Sequence, residues 1–301
     1  MVELIIIGSG ITGLLVKEKI PDSVIYEKEK RIEKLNSMAS LWTIIPPLCG
    51  QFINECINGI EYYKNLAKKY SVYFKEAQVI NDKGLGKEKE ISDIEPYLKI
   101  NIAFVYENGL FVNGESLIKK MINEQVKLGI KVNKLVIEKD EVKEVVLSNG
   151  ERKSVNYMVL TTGYLTKELI GSINYELIKG HLVKIPLGEF KLRNIIFLKG
   201  KIAVADDKCL FINGDALKDE KYNIDFEVVK DHLNFISSTF PINPDSISVR
   251  VGFRAVSKDG NPIVIKPYKN AVLITGYRFG FALAPVLVDQ ALKLLFSSDY
   301  K

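Results

Sequence analysis

A hexapeptide near the N-terminus, Gly8-Ser9-Gly10-Ile11-Thr12-Gly13, has the spacing G-x-G-x-x-G, and the chemistry which that spacing serves is the binding of a diphosphate. Gly8 permits a tight turn, Gly10 lets the backbone approach a pyrophosphate, and Gly13 lets a helix pack close to a strand. Phosphate oxygens then meet N–H groups at the positive end of the helix dipole. Nineteen residues after Gly8, Glu27 stands at the end of a second apolar run, placed to accept hydrogen bonds from ribose hydroxyls and to repel a 2′-phosphate. The charges from Lys28 to Lys34 alternate as a solvated face does, which would make Glu27 a surface acid. Its register with strand, turn and helix favours the nucleotide role. The fingerprint alone does not separate FAD from NAD.

Other reactive side chains are few. There is no Ser-His-Asp order, no Walker A sequence and no zinc spacing. Cys49, Cys56 and Cys209 are an odd number without metal-ligand spacing, which argues against a disulfide framework and leaves Cys49 as buried filler. His232 sits on an amphipathic pattern and is expected at the surface. His181, which follows Lys179-Gly180, is weighed as a base that could approach a substrate, but a structural role is favoured.

The elements that must position these groups follow from periodicity. Leu4 to Ile7 and Val24 to Tyr26 are continuous apolar runs, as buried parallel strands require, and with the helix between them they open a βαβ unit. Apolar residues from Ile53 to Tyr70 and from Ser116 to Leu128 recur at helical spacing, the second stopping at Gly129. Val72 to Ile80, Ile102 to Tyr106 before Asn108-Gly109, and Val142 to Leu147 before Asn149-Gly150 read as strands and hairpin turns. Val155 to Thr162 is another buried run, and His181 to Asn213 reads as short antiparallel strands. A helix is expected near Phe226 to Ile236, then strands from Ser246 to Phe253 and Ala271 to Thr275, and a last helix from about Ala282 to Phe296.

Composition bounds the rest. A chain of 301 residues, 47% apolar and 26% charged, has material for one large core or two modest ones, which excludes disorder as its main state. The net charge of +5 is spread along the chain, so nucleic-acid binding is not implied. No apolar run reaches membrane-spanning length, and the start at Met1-Val2-Glu3 lacks the flanks of a secretory signal, which places the expected protein in the cytoplasm. Usage rich in Ile, Lys and Glu is thermophile-like. No linker divides the chain, so two domains would have to be interleaved.

Several further stretches make the sequence similar to the FAD-dependent oxidoreductases of the D-amino-acid oxidase, glycine oxidase and sarcosine oxidase type. Ser37-Met38-Ala39-Ser40-Leu41-Trp42-Thr43-Ile44-Ile45-Pro46 resembles the segment that runs past the flavin, Ile94-Glu95-Pro96-Tyr97-Leu98 a short Leu-Glu-Pro stretch, and Leu160-Thr161-Thr162-Gly163-Tyr164 a strand end that approaches the cofactor. Most specific are Gly252-Phe253-Arg254-Ala255 with Asp259-Gly260-Asn261-Pro262, followed by Arg278-Phe279-Gly280-Phe281-Ala282-Leu283-Ala284-Pro285.

The resemblance implies an α/β fold: a Rossmann-type FAD-binding domain over residues 1–70, 110–165 and 250–301, with an interleaved, largely antiparallel α+β substrate domain over 71–109 and 166–249. It implies noncovalent FAD, held by Gly8, Ser9, Gly10, Ile11, Thr12, Gly13, Glu27, Lys28, Ser37, Val136, Thr162, Gly163, Gly280 and Phe281. Arg254 and Arg278 match the family's arginines, the first holding a substrate carboxylate and the second lining the substrate mouth. A guanidinium offers a planar two-donor fork that fixes orientation as well as presence. The implied reaction oxidises the C–N bond of a small amino acid or secondary amine by hydride transfer to flavin N5, mainly through alignment. Oxygen, a quinone or a partner protein would reoxidise the flavin, and the chain is a possible oligomer. No metal is implied.

Departures bear on the substrate. Ala255 replaces a usual proline, Leu41 and Trp42 stand where glycines are common, and the loop before Arg278 is one residue shorter than in glycine oxidase. Lys201-Ile202-Ala203-Val204-Ala205-Asp206 replaces a stretch with a substrate tyrosine and a Pro-Arg pair. Three other readings therefore stand beside amine oxidation: a dehydrogenase of a 2-hydroxy acid or glycerol phosphate, a flavin-binding subunit or regulator without turnover, and a simple NAD-dependent dehydrogenase.

Overall fold

The computed structural model describes residues 3–171, 173–242, 244 and 246–297; Met1 and Val2, read above as the chain start, lie outside them. The first strands are β1 (Leu4–Ile7), β2 (Val24–Glu27), β3 (Thr43–Ile44), β4 (Phe74–Asn81), β5 (Lys87–Glu90) and β6 (Ile102–Val112). There follow β7 (Val126–Leu128), β8 (Val132–Glu138), β9 (Glu141–Leu147), β10 (Arg152–Ser154), β11 (Tyr157–Leu160) and β12 (Tyr175–Pro186). The last are β13 (Ile195–Leu198), β14 (Lys201–Ala205), β15 (Cys209–Asn213), β16 (Ser248–Ser257), β17 (Ile263–Tyr268) and β18 (Ala271–Thr275). The helices are α1 (Ile11–Lys19), α2 (Ile53–Lys69), α3 (Gly114–Met121), α4 (Thr166–Leu169), α5 (Phe226–Thr239) and α6 (Gly280–Phe296).

Contacts divide the chain into two compact units, Met1–Met38 with Ile118–Ile178 and Phe253–Lys301, and Ala39–Leu117 with Lys179–Gly252. The first holds a sheet in the order β17-β18-β11-β1-β2-β7. Its strands from β18 to β7 are parallel and β17 is antiparallel to β18. Every residue of β1 and β18 is buried, as the apolar runs require of a parallel sheet covered on both faces. Helix α1 packs on α6, and α6 on β17 and β18. A small antiparallel sheet, β10-β9-β8, adds Leu135, Val142 and Val145 to a core with Ile5, Met158 and Leu273.

The second unit is built on a largely antiparallel sheet in the order β16-β12-β15-β14-β13-β4-β6-β3, with β5 on β6. Its core gathers Ile80, Val105, Ile185, Ile196, Ile212 and Phe240. The α/β class with a Rossmann-like parallel sheet and a separate antiparallel one is thus the architecture observed. No helix among the described residues is long and apolar enough to cross a membrane.

Four local expectations are corrected. The helix read over Ser116 to Leu128 ends at Met121, and Val126–Leu128 is β7, parallel to β2. Asn123 breaks the pattern: its carbonyl accepts the Val126 N–H and its side chain the Gln125 N–H, a local turn that competes with helix. Asn108-Gly109 is no turn, because β6 runs through it. A Cβ on Gly109 would stand 2.7 Å from Ile195 and 2.8 Å from Val79, so the glycine serves close packing within the sheet. Asn149-Gly150, by contrast, turns β9 into β10 with Gly150 at φ +87°.

Cys49 and Cys56 form a disulfide, Cα atoms 6.6 Å apart. The odd count hid a local pair, since the kinked 3-10 segment Pro46–Phe52 before α2 brings Cys49 to the buried stripe of α2 that carries Cys56. His232 is 1% exposed rather than at the surface. It shares the buried face of α5 with Val229, Phe235 and Ile236, at the i, i+3, i+4 spacing of a core stripe.

Candidate functional site

The chain leaves β1 through Gly8 at φ +102°, a left-handed conformation that favours glycine. A Cβ on Gly8 would lie 2.7 Å from the Thr161 carbonyl oxygen, and one on Gly13 only 2.0 Å from that of Gly8. Helix α1 therefore starts against the turn itself. Thr161 Oγ1 donates at 3.0 Å to the Ile7 carbonyl or at 2.9 Å to that of Gly8, tying the end of β11 to the turn. Glu27 is buried and grips the same turn: its Oε2 accepts the Ser9 N–H at 2.8 Å and the Ser9 hydroxyl at 3.1 Å, and its Oε1 the Glu29 N–H at 2.9 Å. Ser37 Oγ accepts the Ile11 N–H at 3.1 Å.

These residues fit a dinucleotide. The first turn of α1 supplies N–H groups without intrahelical acceptors, of which Ser37 takes only that of Ile11, and the dipole favours an anion there. A carboxylate has about four acceptor positions; three of those on Glu27 hold the backbone and hydroxyl just named, and the fourth, on Oε1, suits a ribose hydroxyl. At Gly163, φ +55°, an added Cβ would meet nothing within 4 Å, so the backbone there borders open space.

The strand end beyond Thr161 is stiffened by hydroxyls. Thr162 and Thr166 bond to each other at 2.9 Å, and Thr166 and Thr275 donate to the Gly163 carbonyl at 2.8 and 3.2 Å. The Tyr164 ring lies against Phe253, centroids 5.3 Å apart, with Lys28 Nζ 5.8 Å from its centre. Lys28 also pairs with Glu29 at 3.1 Å. Val136 stands half-buried on β8, paired with Glu144 of β9.

Arg254 is half-buried on β16, between the buried Phe253 and Ala255. Strand alternation sends its side chain to the face opposite those two. A residue not singled out in the sequence fixes it: the Asn36 side chain donates to the Phe253 carbonyl at 2.8 Å and accepts the Phe253 N–H at 2.7 Å, completing one residue of sheet edge. Asn36→Ala should cost about 2 kcal/mol, because it strands two part-buried backbone groups, with Asn36→Asp in between; chemical denaturation reads both. Asp259-Gly260-Asn261-Pro262 is the turn from β16 to β17: Asp259 accepts from the Asn261 backbone and side chain, and Gly260 has φ +76°. Arg278 is exposed, its guanidinium 5.7 Å from the Phe279 ring centre. Gly280 is the first residue of α6 and Phe281 is buried behind it. Tyr277, also not singled out, bonds through its hydroxyl to Thr12 Oγ1 at 2.5 Å.

In the second unit, Trp42 holds φ +59° and is buried, its ring lying where a Cβ on Gly114 would come within 1.7 Å. The indole thus fills the place where the resemblance leads one to expect a bare backbone. It lines a recess with Leu41, Phe111, Leu182, Phe211 and Glu115. Glu115 pairs with Arg250 and, at 3.4 Å, with Lys184. His181 is fully engaged: Nδ1 meets Asp215 Oδ2 at 2.8 Å, and Nε2 accepts the Asp225 N–H at 3.0 Å. Burial works against the charged form of Asp215, but the hydrogen bonds from His181, with His232 nearby, hold its carboxyl below the usual range. The pair is a buried knot that fixes the chain before α5 rather than a base presented to a substrate.

A family model described as FAD dependent oxidoreductase matches residues 58–289. No curated protein matches the chain. Among solved structures, glycine oxidase from Bacillus cereus ATCC 14579 superposes with a TM-score of 0.84 at 17% identity, over 100% of this chain and 99% of that one. Glycine oxidase from Geobacillus kaustophilus gives 0.85 at 14%, over 100% and 96%, and L-proline dehydrogenase from P. horikoshii 0.77 at 15%, over 100% and 94%. At such identities these likenesses establish the fold, whereas the family model extends over most of the chain: the protein belongs to the DAO family of FAD-dependent oxidoreductases.

Proposed function

We propose that this protein uses noncovalent FAD to oxidise the C–N bond of a small amino acid or secondary amine. The observation that carries the reading is the pinned strand Gly252-Phe253-Arg254-Ala255, whose arginine is held in the same compact unit as the nucleotide turn. Solved relatives of this fold include glycine oxidase, L-amino acid deaminase and L-proline dehydrogenase, all named for substrates that carry both a nitrogen and a carboxylate. Attachment without a covalent link is supported by the cysteines: Cys49 and Cys56 are bonded to each other, and Cys209 lies on β15 with its thiol pushed up by burial, which disfavours the nucleophilic thiolate.

Gly8, Gly10, Gly13, Ser9 and Glu27 would hold the diphosphate and ribose, with Ile11, Thr12 and Ser37 at the helix start and Thr162, Gly163, Gly280 and Phe281 alongside. Bound FAD supplies the hydride acceptor. Arg254 takes the substrate carboxylate through its two-donor fork and so fixes which way the α-carbon faces. Asn36 keeps that strand in place, and Arg278, exposed in the loop before α6, adds positive charge where an anionic substrate enters. Alignment rather than acid–base chemistry carries the step, in keeping with both described histidines being buried beside Asp215.

The phosphate-bearing alternative is disfavoured by Lys201. That lysine, at the head of the strand where the family has a tyrosine, pairs with Asp231 at 2.6 Å and lies 5.9 Å from the Phe235 ring centre, so its charge is already matched. The test is anaerobic reduction of the bound flavin by glycine, sarcosine, proline, D-amino acids, 2-hydroxy acids and glycerol phosphate. Bleaching of the visible flavin band by at least one nitrogen compound is expected. Bleaching by hydroxy acids or glycerol phosphate alone, or by nothing in the panel, overturns the proposal.

A further inference from the structure

The loop between β18 and α6 is held at three points. Gly276, φ +75°, passes so close to β17 that a Cβ would stand 2.6 Å from Ile263. Gly280 opens the helix. Between them the Tyr277 hydroxyl reaches Thr12, the second residue of α1, 265 positions away in sequence. Burial pushes the Tyr277 phenol up to about 12, so the bond stays between two neutral hydroxyls throughout the physiological range.

Two contacts fix how α1 and α6 lie. Thr12, at the start of α1, meets Tyr277, just before the start of α6, and Lys19, at the end of α1, pairs with Asp289, well along α6, at 2.6 Å. The helices therefore run in the same direction with their N-terminal ends together. Each such end carries roughly half a positive charge, so the arrangement concentrates positive potential at one place and is unfavourable until an anion sits there. Something must hold the two ends at a fixed spacing in the meantime, and the Thr12–Tyr277 bond bridges them.

We infer that Tyr277 is a positioning residue for the cofactor: through Thr12 it sets the spacing of the α1 and α6 N-termini, and with it the affinity for the diphosphate of FAD. The inference rests on the reading of this unit as an FAD site. It concerns a residue outside the glycine fingerprint and outside the arginine pair.

Apoprotein is titrated with FAD, followed by quenching of flavin fluorescence, and separately with ADP, which carries the diphosphate without the flavin ring. Tyr277→Phe keeps the ring and removes the hydroxyl, and is expected to weaken both ligands by a similar factor, about 3- to 10-fold, the range of one lost hydrogen bond. Thr12→Val should do the same, the double variant should be no weaker than either single one, and Thr12→Ser, which retains a hydroxyl, should bind within about 2-fold of the parent. The thermal midpoint of apo Tyr277→Phe should stay close to that of the parent, since the helix ends it releases repel each other.

Unchanged FAD affinity in Tyr277→Phe overturns the inference, as do weakening of FAD without weakening of ADP, additive losses in the double variant, or a fall in apo stability as large as the loss in affinity. A parent protein that binds neither FAD nor ADP would instead overturn the cofactor reading on which the inference stands.

Discussion

Replacing Gly13 by alanine is expected to abolish retention of FAD and to destabilise the protein by about 3 kcal/mol or more, the upper range for overpacking a closed interior. The position that the new methyl would take is occupied by backbone: the Gly8 carbonyl oxygen lies 2.0 Å away and its carbon 3.1 Å, with Thr161 Oγ1 at 2.8 Å. No rotamer relieves a clash between two backbones. Helix α1 must back away from the turn, which breaks the Thr161 tie to Gly8 and displaces the N–H groups proposed to hold the diphosphate. A loss of about 3 kcal/mol is roughly 100-fold in affinity. Gly171→Ala, where a Cβ meets nothing within 4 Å, is the control and should be neutral. Thermal denaturation and flavin content after purification read both variants; an alanine at position 13 that keeps the parent's flavin and midpoint removes the steric account of the turn.

The contrast between Gly13 and the residues that support it shows what sequence makes legible. The turn is local: a buried strand, three glycines and a helix within ten residues leave few conformations, and the spacing alone places Glu27 at the end of the next strand. The buried stripes of α2 and α6 are equally local. Asn36 and Tyr277 are invisible by the same logic. Their partners, Phe253 and Thr12, lie 217 and 265 positions away, and neither residue has a chemistry that announces itself. The one signal available was adjacency, since Asn36 precedes Ser37, Phe253 precedes Arg254 and Tyr277 precedes Arg278.

Where local rules misled, a tertiary contact had overridden them. Asn108-Gly109 has the composition of a hairpin turn, yet Ile195 and Val79 crowd the glycine within the sheet. Val126–Leu128 continues a helical pattern, yet β2 offers its open edge and the segment pairs there. His232 is polar, yet it falls on the stripe of α5 that the core needs, beside Asp215. Glu27 is the mixed case: the ribose role expected of it leaves room for one hydrogen bond, while most of its acceptor capacity holds Ser9 and Glu29. Its substitution would therefore damage the turn before it altered any contact with a ribose.

Arg254→Ala is expected to lower kcat/KM for a carboxylate-bearing amine by roughly 100- to 1000-fold, about 3–4 kcal/mol, the scale of a charge-assisted two-donor contact together with the orientation it imposes. Two features make the effect separable from damage to the fold. The side chain lies on the face of β16 opposite the buried Phe253 and Ala255, so its removal opens no hole among them. Asn36 holds the strand through the Phe253 backbone, which the substitution leaves intact, so flavin content and thermal midpoint should stay near those of the parent. Arg254→Lys keeps the charge but not the planar fork, and should recover only part of the loss, chiefly in KM. The decisive comparison is between substrates: if the guanidinium holds a carboxylate, the parent should discriminate strongly against the amide of its own best substrate, and Arg254→Ala should lose most of that preference. A variant that discriminates as the parent does, with both rates lowered equally, would assign Arg254 to the scaffold and leave carboxylate recognition to another cation.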